Sequence, residues 1–336
     1  MSQLHNRINK QELKDRLQSD LEPRSTVSFY RYVHILNPTD FRDDLYKSWQ
    51  KIGVFGRIYV ANEGINAQIS LPTAQISAFT ATLEARLELA NLRLNWALDD
   101  GKSFFKLDIK VREKIVADGI DDPNFDSSDT GQYLDAQAFN ALYEQQPDLK
   151  VVDMRNHYET EVGHIKGAIL PDVDTFREQL PVVAADLNGD KNAPIVMYCT
   201  GGIRCEKATA YMKYQGYTNV FHLEGGIINY ARQCREQGLD TKFIGKNFVF
   251  DDRLGERITD DIIAKCHQCG EPADTHTNCA NKICNFLLIQ CEACARKYEG
   301  CCSSECQRVL HLPLEAQKIL RKSVNKDKQV YKKGRW

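Results

Sequence analysis

The segment from Ala193 to Lys207 restricts the chain to folds in which a buried strand runs into a helix through a glycine-rich turn bearing a cysteine. Ala193-Pro194-Ile195-Val196-Met197-Tyr198 is a short apolar run with a β-branched pair, and Glu206-Lys207-Ala208-Thr209-Ala210-Tyr211-Met212 reads as helix. Between them lies Cys199-Thr200-Gly201-Gly202-Ile203-Arg204. The two glycines let the turn curl without steric penalty, so its peptide N–H groups are expected to converge on one atom, the sulfur of Cys199, as in an anion nest. A helix N-terminus below that sulfur and the Arg204 guanidinium beside it favour the thiolate, the nucleophilic form of cysteine. A cysteine that only fills a sheet core has no use for a Gly-Gly turn and a neighbouring arginine.

The six residues from Cys199 to Arg204 resemble the active-site loop of rhodanese domains, in which the cysteine carries a persulfide. Related dual-specificity phosphatases use a loop one residue longer, which encloses a phosphate; the four residues between Cys199 and Arg204 match the sulfur-sized loop. Val151-Val152-Asp153-Met154-Arg155, Gly163-His164-Ile165-Lys166-Gly167-Ala168 and Leu223-Glu224-Gly225-Gly226-Ile227 resemble further rhodanese segments in the expected order. The implied domain, residues 130–236, is a doubly wound parallel α/β sheet with the cysteine loop at the carboxyl end of a central strand, where such sheets hold ligands. Asp153 is expected to hold loop or arginine geometry, and Arg155 to supply charge near the pocket. Arg177, in Thr175-Phe176-Arg177-Glu178-Gln179-Leu180-Pro181, is a second basic candidate. His164 reads as a turn histidine before it reads as a general base. Cys205 reads as a small packed side chain before it reads as a resolving thiol, and Cys234 as inert.

At 336 residues the chain exceeds what one hydrophobic core normally supports, so two or three domains are expected. A formal net charge of -2 gives no global attraction to nucleic acid or membrane, and a polyanion must be met by a local patch. No apolar run of about 18 residues exists and the first residues open no signal core, so a cytoplasmic protein without a membrane partner is expected. Its 12 cysteines are then thiols, metal ligands or redox groups before they are disulfides. No nucleotide-cofactor motif is present.

Residues 1–24 read as a polar leader and 25–120 as a ferredoxin-like, acylphosphatase-like βαββαβ domain. Its expected strands lie in Thr26 to Val33, Gly56 to Ala61, Ile65 to Ser70 and Phe104 to Val111, with helices from Pro38 to Lys51 and Pro72 to Leu89. His34-Ile35-Leu36-Asn37-Pro38 lacks the arginine and glycines of a phosphate loop. Arg31, Arg57, Lys106, Lys110 and Arg112, interleaved with Tyr30, Tyr32 and Tyr59, suggest instead a sheet face that contacts RNA phosphates and stacks bases. Residues 121–129 read as a linker.

Residues 245–312 are cysteine-rich. Two C-x-x-C knuckles, Cys266/Cys269 and Cys291/Cys294, bracket Cys279 and Cys284, with Cys302 and Cys306 beyond; these are spacings of tetrahedral zinc sites. A cross-braced arrangement puts Cys266, Cys269, Cys291 and Cys294 on one zinc ion and Cys279, Cys284, Cys302 and Cys306 on another, leaving Cys301 and His276 as alternates. Disulfides or a redox relay to Cys199 are the other readings. Residues 313–336 form a basic tail; from Arg321 to Trp336 it has seven basic residues and one acid, and it is the segment best suited to a polyanion.

The combination, with Ala61-Asn62-Glu63-Gly64-Ile65-Asn66, the Cys199 loop continued by Cys205-Glu206-Lys207, and Cys266-His267-Gln268-Cys269-Gly270, resembles the bacterial rhodanese-like tRNA uridine hydroxylases along nearly the full length. The resemblance implies oxygen-dependent conversion of wobble uridine 34 to 5-hydroxyuridine, with molecular oxygen as co-substrate, the tRNA anticodon loop as partner and a sulfur or electron donor left unspecified. Residue patterns alone leave two alternatives open: a thiosulfate-type sulfurtransferase, and a non-catalytic RNA-binding or redox module.

Overall fold

A computed structural model gives the structure of residues 10–19, 21–98, 102–122, 124–187 and 189–323. The first region comprises α1 (Lys10–Ser19), β1 (Arg24–Tyr32), α2 (Pro38–Lys51), β2 (Phe55–Ala61), β3 (Gly64–Pro72), α3 (Ile76–Glu84), β4 (Asn95–Trp96) and β5 (Leu107–Val111). Pro38 opens α2 because its missing N–H and fixed φ suit the first helical turn, and the Asn37 side chain caps the Asp40 N–H at 3.2 Å. Strand order is β4-β1-β3-β2-β5. One sheet face carries Phe29 under Trp49 of α2 and Phe79 of α3, all buried, with ring centroids 5.6–6.2 Å apart. Burial of each such ring contributes on the order of 1.5–3 kcal/mol.

Two expectations are corrected here. The fourth ferredoxin-like strand is β4, antiparallel to β1, whereas Leu107–Val111 is a fifth strand, parallel to β2 on the far edge. Two residues are too short to show the alternation that made the later segment legible. The helix drawn from Pro72 to Leu89 is shorter: Pro72 ends β3, α3 stops at Glu84, and Leu87, inside the expected span, is 95% exposed.

The second region runs through β6 (Gln132–Leu134), α4 (Ala136–Gln145), β7 (Lys150–Asp153), α5 (His157–Thr160), β8 (Gly163–Ile165), α6 (Phe176–Asp186), β9 (Ile195–Tyr198), α7 (Ile203–Tyr214), β10 (Val220–Leu223) and α8 (Gly226–Gln237). Its sheet, β6-β10-β9-β7, is parallel throughout, and β9 is interior. Val152, Met197 and Met212 pack on one face and Phe139, Val196 and Tyr230 on the other. Such a strand is apolar on both sides, which is why it reads as an unbroken hydrophobic run.

The third region contains β11 (Phe243–Asn247), β12 (Glu256–Arg257), β13 (His276–Asn278), β14 (Leu287–Ile289), α9 (Glu292–Lys297), α10 (Ser304–Leu310) and α11 (Leu314–Ser323). Strand β11 pairs antiparallel with β8, so this region is joined to the parallel domain by backbone hydrogen bonds. The basic tail begins as α11; residues 324–336, which hold most of its charge, lie outside the described residues, as do 1–9 of the leader. No helix among the described residues is long and apolar enough to cross a membrane.

Candidate active site and metal clusters

Cys199 follows β9 directly, fully buried from solvent, and the loop wraps its sulfur. Gly202 takes φ +97°, and a Cβ there would sit 2.9 Å from the Tyr30 hydroxyl, so this position requires glycine. That conformation aims the Gly202 N–H at the Cys199 Sγ, 3.1 Å away. Burial pushes the thiol up, but a hydrogen bond from the Cys205 thiol, the Arg204 charge, and the N–H groups of Arg204 and Gly202 outweigh it and hold Cys199 at about 6. Burial and the hydrogen bond to Cys199 push Cys205 well up, so Cys205 is the donor of the pair.

Arg204 does not act alone. Its Nη1 and Nη2 donate to the two carboxylate oxygens of Glu159, at 2.7 and 2.8 Å, and Thr200 Oγ1 donates to the same carboxylate at 3.1 Å. Glu159 is fully buried; burial alone would raise it, yet Arg204 holds it below the usual carboxylate range. It also closes a capping box on α5 by accepting from the Asn156 N–H at 2.9 Å. Sequence reasoning missed Glu159. The one signal was the Asn156-x-x-Glu159 spacing, which marks a helix start and says nothing of a partner 45 residues on.

Asp153 and Arg155 form a fully buried ion pair, Oδ2 to Nη2 2.7 Å, and Arg155 also donates to the Gly163 carbonyl at 2.6 Å and to Asn247 Oδ1 at 3.3 Å. The expectation that Arg155 charges the pocket is therefore corrected: it ties β7 to β8 and β11 and does not line the cavity. Asp153 holds an arginine, but not that of the loop. Arg177 does line the cavity. His164 Nδ1 lies 3.0 Å from the Thr160 carbonyl, a turn contact away from the cavity. Cys234 is buried beside Tyr230.

A cavity of about 730 Å³ opens on Cys199 and Arg204. One wall is the open face of the first sheet, where register aligns Ser28, Gln68 and Arg57 in one row and Tyr30, Asn66 and Tyr59 in the next. Another wall is α6 with Arg177, and a third comes from the last region with Phe250 and Arg253. Not all the sheet tyrosines are open to a base. The Tyr30 hydroxyl donates to Glu206 at 2.7 Å and the Tyr32 hydroxyl to the Ile203 carbonyl at 3.2 Å, so the expected RNA-stacking role of these two is replaced by docking on α7. The Arg31 guanidinium is likewise occupied, donating to the Ala90 and Asn91 carbonyls at 2.6 and 3.0 Å. Behind them the Lys207 ammonium, buried over the Tyr32 ring, pairs with Glu63 of the first region and Asp118 of the connector that joins β5 to β6. The loop and its helix are thus clamped between two domains.

In the last region the sulfurs of Cys266, Cys269, Cys291 and Cys294 lie within 4.8 Å of one another, as do those of Cys279, Cys284, Cys302 and Cys306. Zinc held by four thiolates at about 2.3 Å defines a tetrahedron with edges of about 3.8 Å. The Cys269–Cys291, Cys284–Cys302 and Cys302–Cys306 sulfur pairs are at 3.6, 3.7 and 3.6 Å, so the donor sets fit such an ion. Cys301 and His276 are buried outside both sets. The first cluster is close to the loop's support: His267 Nε2 is 2.7 Å from Glu161, and Tyr158 of α5 packs on Phe248 in one cluster with Cys266 and Cys294.

Comparison with known proteins gives three family matches along the chain: an acylphosphatase-like domain designated UPF0176 over residues 24–115, a rhodanese-like domain over 135–233 and a rhodanese C-terminal region over 244–307. A protein of Photorhabdus laumondii named tRNA uridine(34) hydroxylase is 57% identical, covering 100% of this chain and 96% of its own. One of Pectobacterium atrosepticum with the same name is 56% identical, covering 100% and 95%. Among solved structures, the rhodanese-like domain of an Anabaena protein matches with TM-score 0.28 and 20% identity over 34% of this chain and 80% of that one.

Proposed function

The chain belongs to the tRNA uridine(34) hydroxylase family, and on that premise we propose that it hydroxylates the wobble uridine of tRNA at C5, with Cys199 as the nucleophile and Arg204 as the fixed charge beside it. The observation that carries the assignment of the nucleophile is a sulfur wrapped by its loop, with the Gly202 N–H aimed at it from 3.1 Å, on a cavity large enough for a nucleotide; Cys205, Arg204 and the loop N–H groups lower its pKa. The Cys199 thiolate, or a persulfide on it, adds to C6 of the uracil ring, and the C5–C6 π electrons move to C5 and O4. Loop N–H groups and Arg204 stabilise the sulfur anion before addition and after release. Carbon 5 then takes an oxygen atom from dioxygen, the second oxygen leaving as water at the expense of two electrons from a reductant. Loss of the C5 proton expels sulfur from C6 and restores the double bond. The target base must leave the stack to reach the sulfur, which an anticodon loop permits at low cost.

The two cysteine clusters would each hold a zinc ion, which crosslinks segments too poor in aliphatic residues to fold unaided. The reaction is placed in the cytoplasm with its tRNA substrate. The test is nucleoside mass spectrometry of bulk tRNA from cells lacking this protein, complemented with wild type or Cys199→Ala. Wild type is expected to restore 5-hydroxyuridine and the variant to give none; product from Cys199→Ala would overturn the assignment. Thiocyanate formation from thiosulfate and cyanide, measured on the same preparations, separates this reading from a plain sulfurtransferase.

A further inference from the structure

Four arginines line the cavity over Cys199: Arg57, Arg177, Arg204 and Arg253. Two already have carboxylate partners, Arg204 on Glu159 and Arg253 on Asp251 and Glu256 at 2.6 and 2.5 Å. The carboxylates of the lining are occupied as well, Asp174 with His157 at 3.1 Å and Glu178 with the Thr175 N–H at 3.1 Å. Arg57 and Arg177 are exposed, and among the described residues neither meets a carboxylate within ion-pair distance. They line the cavity from different domains, Arg57 on β2 of the first and Arg177 on α6 of the second, and Cys199 lines the same cavity.

The Arg177 stem is held in place. It crosses Gly119, at φ +72°, so closely that a Cβ there would lie 2.3 Å from the arginine Cγ. A connector glycine thus makes room for a cation on the cavity wall. Guanidinium groups without a carboxylate partner suit phosphate oxygens, which their planar fork meets bidentately.

We infer that Arg57 and Arg177 bind the two backbone phosphates flanking the nucleotide whose base reaches Cys199, so that the strand is gripped from both domains across the cavity mouth. This rests on the tRNA reading given above. Phosphates fix register without reading sequence, and the base is then admitted to the cavity between them. For single strands each phosphate contact contributes about 0.7 to the slope of log affinity against log salt.

The experiment measures binding of an unmodified tRNA transcript to the full-length, metal-loaded protein over a series of salt concentrations, for wild type, Arg57→Gln, Arg177→Gln and the double variant. Each single substitution is expected to weaken binding about three- to tenfold at fixed salt and to lower the slope by about 0.7, the double by about 1.4. Arg57→Lys and Arg177→Lys retain the slope, which separates loss of charge from damage to the fold; thermal melting checks the latter. Wild type is assayed in parallel for restoration of 5-hydroxyuridine in cells. If wild type restores it while the glutamine variants bind with unchanged affinity and slope, the phosphate assignment alone fails. If wild type restores nothing, the underlying reading fails whatever the variants do.

Discussion

Replacing Cys205 by alanine tests whether the second thiol of the loop sets the charge of the first. Cys199 is brought from 9.0 to about 6, which corresponds to about 4 kcal/mol in favour of the thiolate, net of the opposing effect of burial. One hydrogen bond to a charged acceptor contributes about 1.5–3 kcal/mol, or one to two pK units. Cys205→Ala should therefore move the midpoint to about 7–8, whereas Cys205→Ser, whose hydroxyl still donates, should keep it near 6. Arg204 cannot compensate, because two of its nitrogens are fixed on Glu159. The assay is the pH dependence of iodoacetamide modification of the Cys199 peptide, followed by mass spectrometry with the cysteine clusters metal-loaded. A single rate at pH 7 is misleading, since a more basic thiolate is scarcer but more nucleophilic, with a Brønsted coefficient of about 0.4–0.5, and the two effects nearly cancel. The midpoint moves and the high-pH plateau rises severalfold. A midpoint still near 6 in the alanine variant would refute the argument and return the charge to the backbone amides and Arg204.

Glu159→Gln leaves Arg204 buried without its counter-ion and should cost about 3–5 kcal/mol in urea unfolding at pH 7; a loss below about 1 kcal/mol would mean that the pair is not the support of the loop. Metal removal by a strong chelator should release two ions per chain and abolish hydrogen-exchange protection between residues 266 and 306 while leaving β7 and β9 protected. Release of no metal from protein purified under reducing conditions would contradict the zinc assignment.

The loop was legible because its demands are local: an apolar strand, two glycines and an arginine within a few residues determine a strand–turn–helix and the fate of its sulfur. The cysteine sets were legible because ligand spacing is local too, and the fold brings together the same two groups that cross-bracing suggested. What escaped was set by tertiary partners. Tyr30 and Tyr32 alternate as solvent-facing strand residues do, but a second domain covers them, and nothing in β1 itself announces which. Arg155 lies two residues from Asp153 near the sheet's carboxyl end, yet its side chain turns toward β11, a strand formed ninety residues later. Glu159 is placed by a capping box whose spacing is common to many helices.

Lys207 sits three residues beyond Arg204 on the reactive helix, and its ammonium is held by carboxylates that belong to the preceding domain and its connector. The catalytic portion is therefore not a portable cassette. A fragment cut at residue 130 would strand a cation in a surface made for company, and an N-terminal module borrowed from a protein lacking Glu63 would arrive without the matching anion. An exchange of halves keeps this cation matched only where the lysine and its two carboxylates travel together.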